Sequence, residues 1–154
     1  MQFTRGWWLV VLALALGLAL ANGAWSQGYP PAVSELVAAA KRQVRTIDMA
    51  TFKAAFDRND LGLIVDVREP EEFAGGHIPG AINVPRGVIE LRIWTHVGFP
   101  EKTDMNRKMT LYCGSGTRCV LAAKSLQDLG FSNVTAADMR IDDWAKAGHP
   151  LVRK

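Results

Sequence analysis

Spacing of apolar and polar positions divides the chain into a leading apolar block and, after it, short apolar runs alternating with amphipathic stretches. Val33, Leu36, Val37, Ala40 and Val44 recur at helical spacing, predicting an amphipathic helix over 33–44 capped by Ser34 or a neighbour. A second helix is expected from about Asp48 through Phe52, Ala55 and Phe56. Residues 61–67 (LGLIVDV) form a short run rich in β-branched side chains between Asn59-Asp60 and Glu69-Pro70, the pattern of a buried strand. Pro70 then opens a short helix that Gly75-Gly76 ends. The alternation continues with a strand over 81–84 closed by Pro85, a helix over 88–94 and a long polar connection over 95–107. It ends with a strand over 108–113, a helix over 118–129 stopped by Gly130, a strand over 133–137 and a helix over 141–147. Strands alternating with helices predict an α/β domain with a central, largely parallel sheet flanked by helices. Such sheets bind ligands outside the carboxyl ends of their strands, and Cys113 stands at one of those ends.

The leading block changes the picture of where the protein works. A start carrying Arg5 precedes an uninterrupted apolar run over 7–21, followed by the small-residue sites Ala19-Leu20-Ala21 and Asn22-Gly23-Ala24. This reads as a secretory signal peptide over 1–24, which implies export, a periplasmic location and removal of the leader. The rival reading is an uncleaved anchor, because about 20 residues suffice to span a bilayer as a helix; membrane association follows only in that case. Cleavage is favoured by the shortness of the apolar core and its Ala-x-Ala ending. Residues 25–45 are expected to supply a linker with Gly, Ser, Gln and Pro, then the first helix; residues 46–152 form the domain proper. About 130 residues after the leader are enough for one well-buried core.

Composition excludes more than it assigns. Formal net charge over all 154 residues is +3, with Lys and Arg scattered among acids, so no basic stripe for nucleic acid is present. His77, His96 and His149 lack ligand spacing, so no metal is expected.

The candidate chemistry lies in Leu111-Tyr112-Cys113-Gly114-Ser115-Gly116-Thr117-Arg118-Cys119. A buried strand delivers a cysteine, the chain turns sharply, and a helix departs. Glycines at 114 and 116 allow positive φ and let several N–H groups face inward. The helix adds its unpaired N-terminal N–H groups and the positive end of its dipole, and Arg118 adds a permanent charge. Together these stabilise an anion at the loop centre, first of all the Cys113 thiolate, which is the nucleophilic form. Two alternatives remain open at this stage. Cys113 and Cys119 form a structural disulfide, though a strand end and a helix start seldom present suitable geometry; or Cys119 resolves an oxidised Cys113 in a transient one.

The loop Cys113-Gly-Ser-Gly-Thr-Arg118 resembles the active-site loop of the rhodanese family. Upstream, Ile64-Val-Asp66-Val-Arg68-Glu69-Pro70-Glu-Glu72-Phe73 and Gly76-His77-Ile78-Pro79-Gly80-Ala81-Ile82-Asn83-Val84-Pro85-Arg86 are similar to that family's other signature, in the same order and spacing. The resemblance spans 46–152. It implies a sulfurtransferase, with no cofactor, in which Cys113 takes sulfane sulfur from a small donor such as thiosulfate and holds it as a persulfide. A thiophilic acceptor then removes it: cyanide, a thiol or a protein thiol. In this reading Gly114, Ser115, Gly116, Thr117, Arg118 and Cys119 bind substrate, the backbone N–H groups hold the persulfide, and Arg118 binds the donor's oxyanion end. Arg86, Asp66 and Arg68 are further candidates for substrate contact. Asp66 and Arg68 are also suited to pairing with each other at a strand end, His77 to capping and packing, and Trp144 to anchoring the last helix. A sulfur-relay or binding module with little turnover is the second reading. Phosphatases and arsenate reductases of the same fold use a loop one residue longer, so the Cys113-x4-Arg118 spacing favours sulfur.

The sequence departs from the family pattern at two places. Met139-Arg140 stands where the family usually has Gly-Gly, so a turn needing positive φ would be strained there or rebuilt; Arg140 is then free to reach toward the pocket mouth. Cys119 occupies a position where a small hydroxyl residue is common. The connection over 93–106 is longer than a minimal member needs and suits a lid or a docking surface.

Overall fold

In a computed structural model, residues 29–153 are described; the expected leader over 1–24 and the start of the linker lie outside them. The strands β1 (Arg45–Ile47), β2 (Leu63–Asp66), β3 (Ile82–Asn83), β4 (Met109–Tyr112) and β5 (Val134–Ala137) form one sheet in the order β1-β5-β4-β2-β3. Every pairing is parallel. Around it lie α1 (Pro31–Lys41), α2 (Met49–Asp57), α3 (Pro70–Ala74), α4 (Ile89–Arg92), α5 (Thr117–Asp128) and α6 (Ile141–Lys146), with 3-10 turns at Arg86–Val88 and Ile93–His96. Among the described residues no helix is long and apolar enough to cross a membrane.

Parallel strands are buried on both faces, so alternate side chains of one strand enter different cores. Met109 and Leu111 join Val65, Ala136, the buried residues of α5 and Ile89 on one face. Tyr112 joins Phe52, Ala137 and Trp144 on the other. Cys113 continues the Leu111 side and faces the α5 core. Trp144 is fully buried, makes edge contacts with Phe52 and Phe56, and donates its indole N–H to Pro150 O at 2.9 Å, anchoring the last helix.

Three local readings differ from the pattern-based ones. The first helix starts at Pro31 rather than near Ser34, Pro being suited to an N-terminal helical position. Its Ala40, with Val44 just beyond, enters the core, so the compact unit includes this helix. β1 went unread because it has three residues at the sheet edge and no apolar run; pairing with β5 defines it. The segment 93–106 turns inward at Trp94, which packs on Phe131 and donates to Glu90 O at 2.7 Å.

The ends of β2 and β4 are tied by a buried polar network. Asp66 is fully buried and receives Arg68 Nε at 3.0 Å and Arg68 Nη2 at 2.6 Å. Arg68 also donates to Gly76 O at 2.7 Å. Tyr112 hydrogen-bonds Asp66 and accepts from Ile78 N at 3.0 Å, which pins the turn after His77. Burial and the Asp66 charge push the Tyr112 phenol far above its usual range, so it is a fixed donor. A charge pair taken out of water contributes little net stability, but removing one partner strands the other. Arg68→Ala is therefore expected to lower the unfolding free energy by about 3–5 kcal/mol in urea denaturation; a loss below about 1 kcal/mol would show that Asp66 finds other compensation.

Candidate active site

β2 is followed in the sheet by β3 on one side and β4 by β5 on the other, so the chain leaves the neighbouring strands β2 and β4 in opposite directions. The crevice between their carboxyl ends is where such sheets bind ligands, and the loop from Cys113 to Gly116 sits on it.

Cys113 follows the four buried residues of β4 and is itself fully buried. Gly116 is the N-cap of α5 with φ +84°. That conformation is strained for residues with a Cβ, and a Cβ there would also lie 3.0 Å from Asp138 Oδ1. Gly114 does not adopt positive φ, contrary to expectation. Its requirement is space, since a Cβ would stand 3.2 Å from the Arg118 guanidinium. The backbone N–H groups of Ser115, Gly116 and Cys119 turn toward the Cys113 sulfur. Ser115 and Thr117 place their hydroxyls 3.4 Å apart at the rim.

Both cysteines are free thiols, so the structural disulfide is not formed. The Cys119 thiol donates to Gly116 O at 3.2 Å and to Ala137 O at 3.3 Å, with the Cys113 sulfur beside it. This contact is the largest influence on Cys113 and, with the loop N–H groups, it overcomes burial to bring that thiol down to about 6. Cys119 moves the opposite way, pushed well above the usual thiol range by Cys113 and by burial. One cysteine is thus a thiolate at neutral pH and its neighbour a protonated donor.

Arg118 serves differently from the expected open anion receptor. Its guanidinium forms a two-pronged pair with Glu72, Nη1 to Oε2 at 2.6 Å and Nη2 to Oε1 at 2.8 Å. Glu72 also accepts from Glu69 N at 3.1 Å at the start of α3, and the Arg118 charge brings its carboxyl down to about 2. Arg118 senses the Cys113 charge as well, but Glu72 is its principal partner. Glu72 is the site residue that sequence reading quoted without a role. Its place in the third helical position after Glu69 signals a capping box; nothing linear links it to Arg118.

The remaining candidates are placed elsewhere. Asp66 and Arg68 face each other inside the network described above. Arg86 binds Glu90 Oε1 at 3.0 Å and Ser125 Oγ at 3.0 Å, two turns down α5 from the loop, and does not line it. His77 stacks on Phe73 and shares a 3.0 Å hydrogen bond with Phe73 O, a packing role. Arg140 has φ −99°, and Asn59 is the only non-glycine with positive φ among the described residues. The Met139-Arg140 turn is therefore rebuilt without strain. Met139 is buried, and Arg140 lies 3.9 Å from Asp142 and Asp143 rather than at the loop.

The family model "Rhodanese-like domain" matches residues 48–147. The "Putative sulfur carrier protein YrkF" of Bacillus subtilis (strain 168) is 32% identical over 64% of this chain, which spans 49%, about half, of that protein. The thiosulfate:glutathione sulfurtransferase of Saccharomyces cerevisiae (strain ATCC 204508 / S288c) is 34% identical over 66% of this chain and 76% of its own length. A solved structure of thiosulfate sulfurtransferase from Pseudomonas aeruginosa superposes with a TM-score of 0.65 at 28% identity, covering 79% of this chain and 22% of that one. The α/β sheet, the loop around Cys113 and these matches agree: the chain belongs to the rhodanese-like family of sulfurtransferases.

Proposed function

We propose that this protein is a sulfurtransferase that moves sulfane sulfur from a small donor such as thiosulfate to a thiophilic acceptor, a thiol or cyanide, through a persulfide on Cys113. The observation that carries this reading is the ring of N–H groups and the Cys119 thiol around one buried, ionised sulfur. In the first half-reaction the Cys113 thiolate attacks the outer sulfur of thiosulfate, the sulfur–sulfur bond of the donor breaks, and sulfite departs with the bonding pair. The outer sulfur of the resulting persulfide is again an anion, and the same N–H groups stabilise it. In the second half-reaction an acceptor thiolate or cyanide attacks that outer sulfur and returns Cys113 to its thiolate. Export to the periplasm belongs to the same proposal and rests on the apolar leader with its Ala-x-Ala ending.

A second reading concerns the donor. Glu72 already neutralises Arg118, so a sulfonate end must share that cation, whereas a persulfide or polysulfide donor makes no such demand. This favours the sulfur-relay reading, in which an upstream sulfur carrier loads Cys113.

Intact mass after brief incubation with thiosulfate is expected to rise by one sulfur, about 32 Da. Cys113→Ala should show no gain and cyanide should remove it. Reduced protein that gains nothing from thiosulfate or from a persulfide donor overturns the sulfurtransferase reading.

Alkylation of Cys113 by iodoacetamide should follow the thiolate fraction, rising with pH around a midpoint of about 6. Cys119→Ser is expected to move that midpoint upward if it donates less effectively; an unchanged midpoint in Cys119→Ala would remove Cys119 from the account.

Glu72→Gln should lower the KM for thiosulfate a few-fold, because it releases Arg118, while leaving the KM for a neutral-ended persulfide donor little changed. Equal changes for both donors would mean that Glu72 only braces α3.

A further inference from the structure

Sulfur exchange with an external acceptor gives Cys119 no part beyond the hydrogen bond it donates. Its placement is nevertheless that of a reactant. Cys113 directly follows β4, Cys119 lies in the first turn of α5, both are fully buried, and both are free. Both sulfurs lie in one buried cluster beneath the loop, and each shifts the ionisation of the other. The Cys119 thiol donates to the carbonyls of Gly116 and Ala137, at 3.2 and 3.3 Å, which fixes its sulfur against the loop. An external acceptor has to enter the loop; Cys119 is already inside it.

We propose that Cys119 is a resolving cysteine, which attacks the inner sulfur of the Cys113 persulfide and expels the outer sulfur as hydrosulfide. This step rests on the persulfide reading given above. The bond formed is Cys119 Sγ to Cys113 Sγ, and the bond broken is Cys113 Sγ to the transferred sulfur. The proton of the Cys119 thiol goes to the departing sulfur, which leaves as HS⁻. Two electrons from the cysteine pair reduce the sulfane sulfur to sulfide, and the pair becomes a disulfide. No outside oxidant or base enters the balance. Repeated turnover requires a dithiol reductant, which returns the pair to thiols by two thiol–disulfide exchanges.

The loop chemistry also sets the order of events. While Cys113 is a bare thiolate, its charge and its hydrogen bond keep Cys119 protonated. Loading moves the negative charge to the outer sulfur and leaves the inner sulfur neutral, so both restraints on Cys119 relax once there is a persulfide to resolve. The N–H groups of Ser115 and Gly116 that hold the outer sulfur also stabilise it as a leaving anion. The full reaction is a reductive release of sulfide from a sulfane-sulfur donor, in competition with transfer to an external thiol.

The test is to load the protein with thiosulfate, remove the donor by rapid desalting, and incubate it anaerobically with no acceptor. In the wild type the adduct of about 32 Da should decay. Hydrosulfide should then appear at close to one equivalent, with a final mass about 2 Da below the reduced protein, removed by a dithiol. Cys119→Ala and Cys119→Ser should load the same single sulfur, more slowly at neutral pH. They should hold it on the order of tenfold longer and form no disulfide. The serine variant keeps a small polar side chain at the site should the alanine variant fold poorly. A wild-type adduct as durable as that of the variants, with no hydrosulfide, overturns the resolving role alone, as does an adduct that moves to Cys119 and remains there. Failure of every protein to load from any sulfane donor overturns the persulfide reading and the resolving role with it.

Discussion

The N-terminus of an α-helix leaves backbone N–H groups with no partner inside the helix, and in this protein the start of α5 directs such groups at one sulfur. Gly116 makes the arrangement geometrically accessible by taking φ +84° at the helix cap. β4 makes it exact in position, because a strand buried along its whole length cannot shift in register without turning Leu111 and Tyr112 into the wrong cores. Burial by itself would hold Cys113 as a neutral thiol. The Cys119 thiol and the N–H groups of Ser115, Gly116 and Cys119 outweigh it, and the balance falls on the side of the thiolate.

The rest of the site braces that loop rather than adding groups to it. Asp66, Arg68 and Tyr112 fasten the end of β2 to the end of β4 and to the turn at Ile78. Glu72 crosses the same crevice to hold Arg118, so α3 and α5 are joined by a two-pronged ion pair directly beside the nucleophile. Because its side chains are about a third exposed, that pair contributes little to folding. Its larger effect is on charge: a cation that would draw in any anion is already half satisfied.

These features differ in how openly the sequence displays them. The strand–loop–helix around Cys113 was legible because all of its parts are local: an apolar run, two glycines and a helical pattern within a few residues. Cys119 was visible for the same reason, although which of its roles applied depended on side-chain directions. Glu72 was not legible as a partner of Arg118, since 46 positions separate them and only the fold brings them together. Arg86 was misplaced because a residue just past a strand can turn either way, and Glu90 and Ser125 draw it down α5. Met139-Arg140 invited an expectation of strain that held only for a glycine-type turn; the chain takes an extended residue at Arg140 and buries Met139. β1 had no signal of its own, being stabilised by pairing and not by composition.

The opposite shifts of the two thiols make Cys113 the stronger nucleophile of the pair. Two equivalent thiols side by side would compete as nucleophiles, and the donor's own sulfur–sulfur bond would expose the pair to direct oxidation. Here Cys113 is drawn toward the thiolate while Cys119 is held as the protonated partner. A low-pKa sulfur is also the better leaving group in exchange. That property works against keeping a disulfide at Cys113, since an incoming dithiol that attacks Cys119 displaces the Cys113 thiolate into the N–H ring waiting for it. The loop that makes Cys113 a ready nucleophile therefore also makes it a ready leaving group.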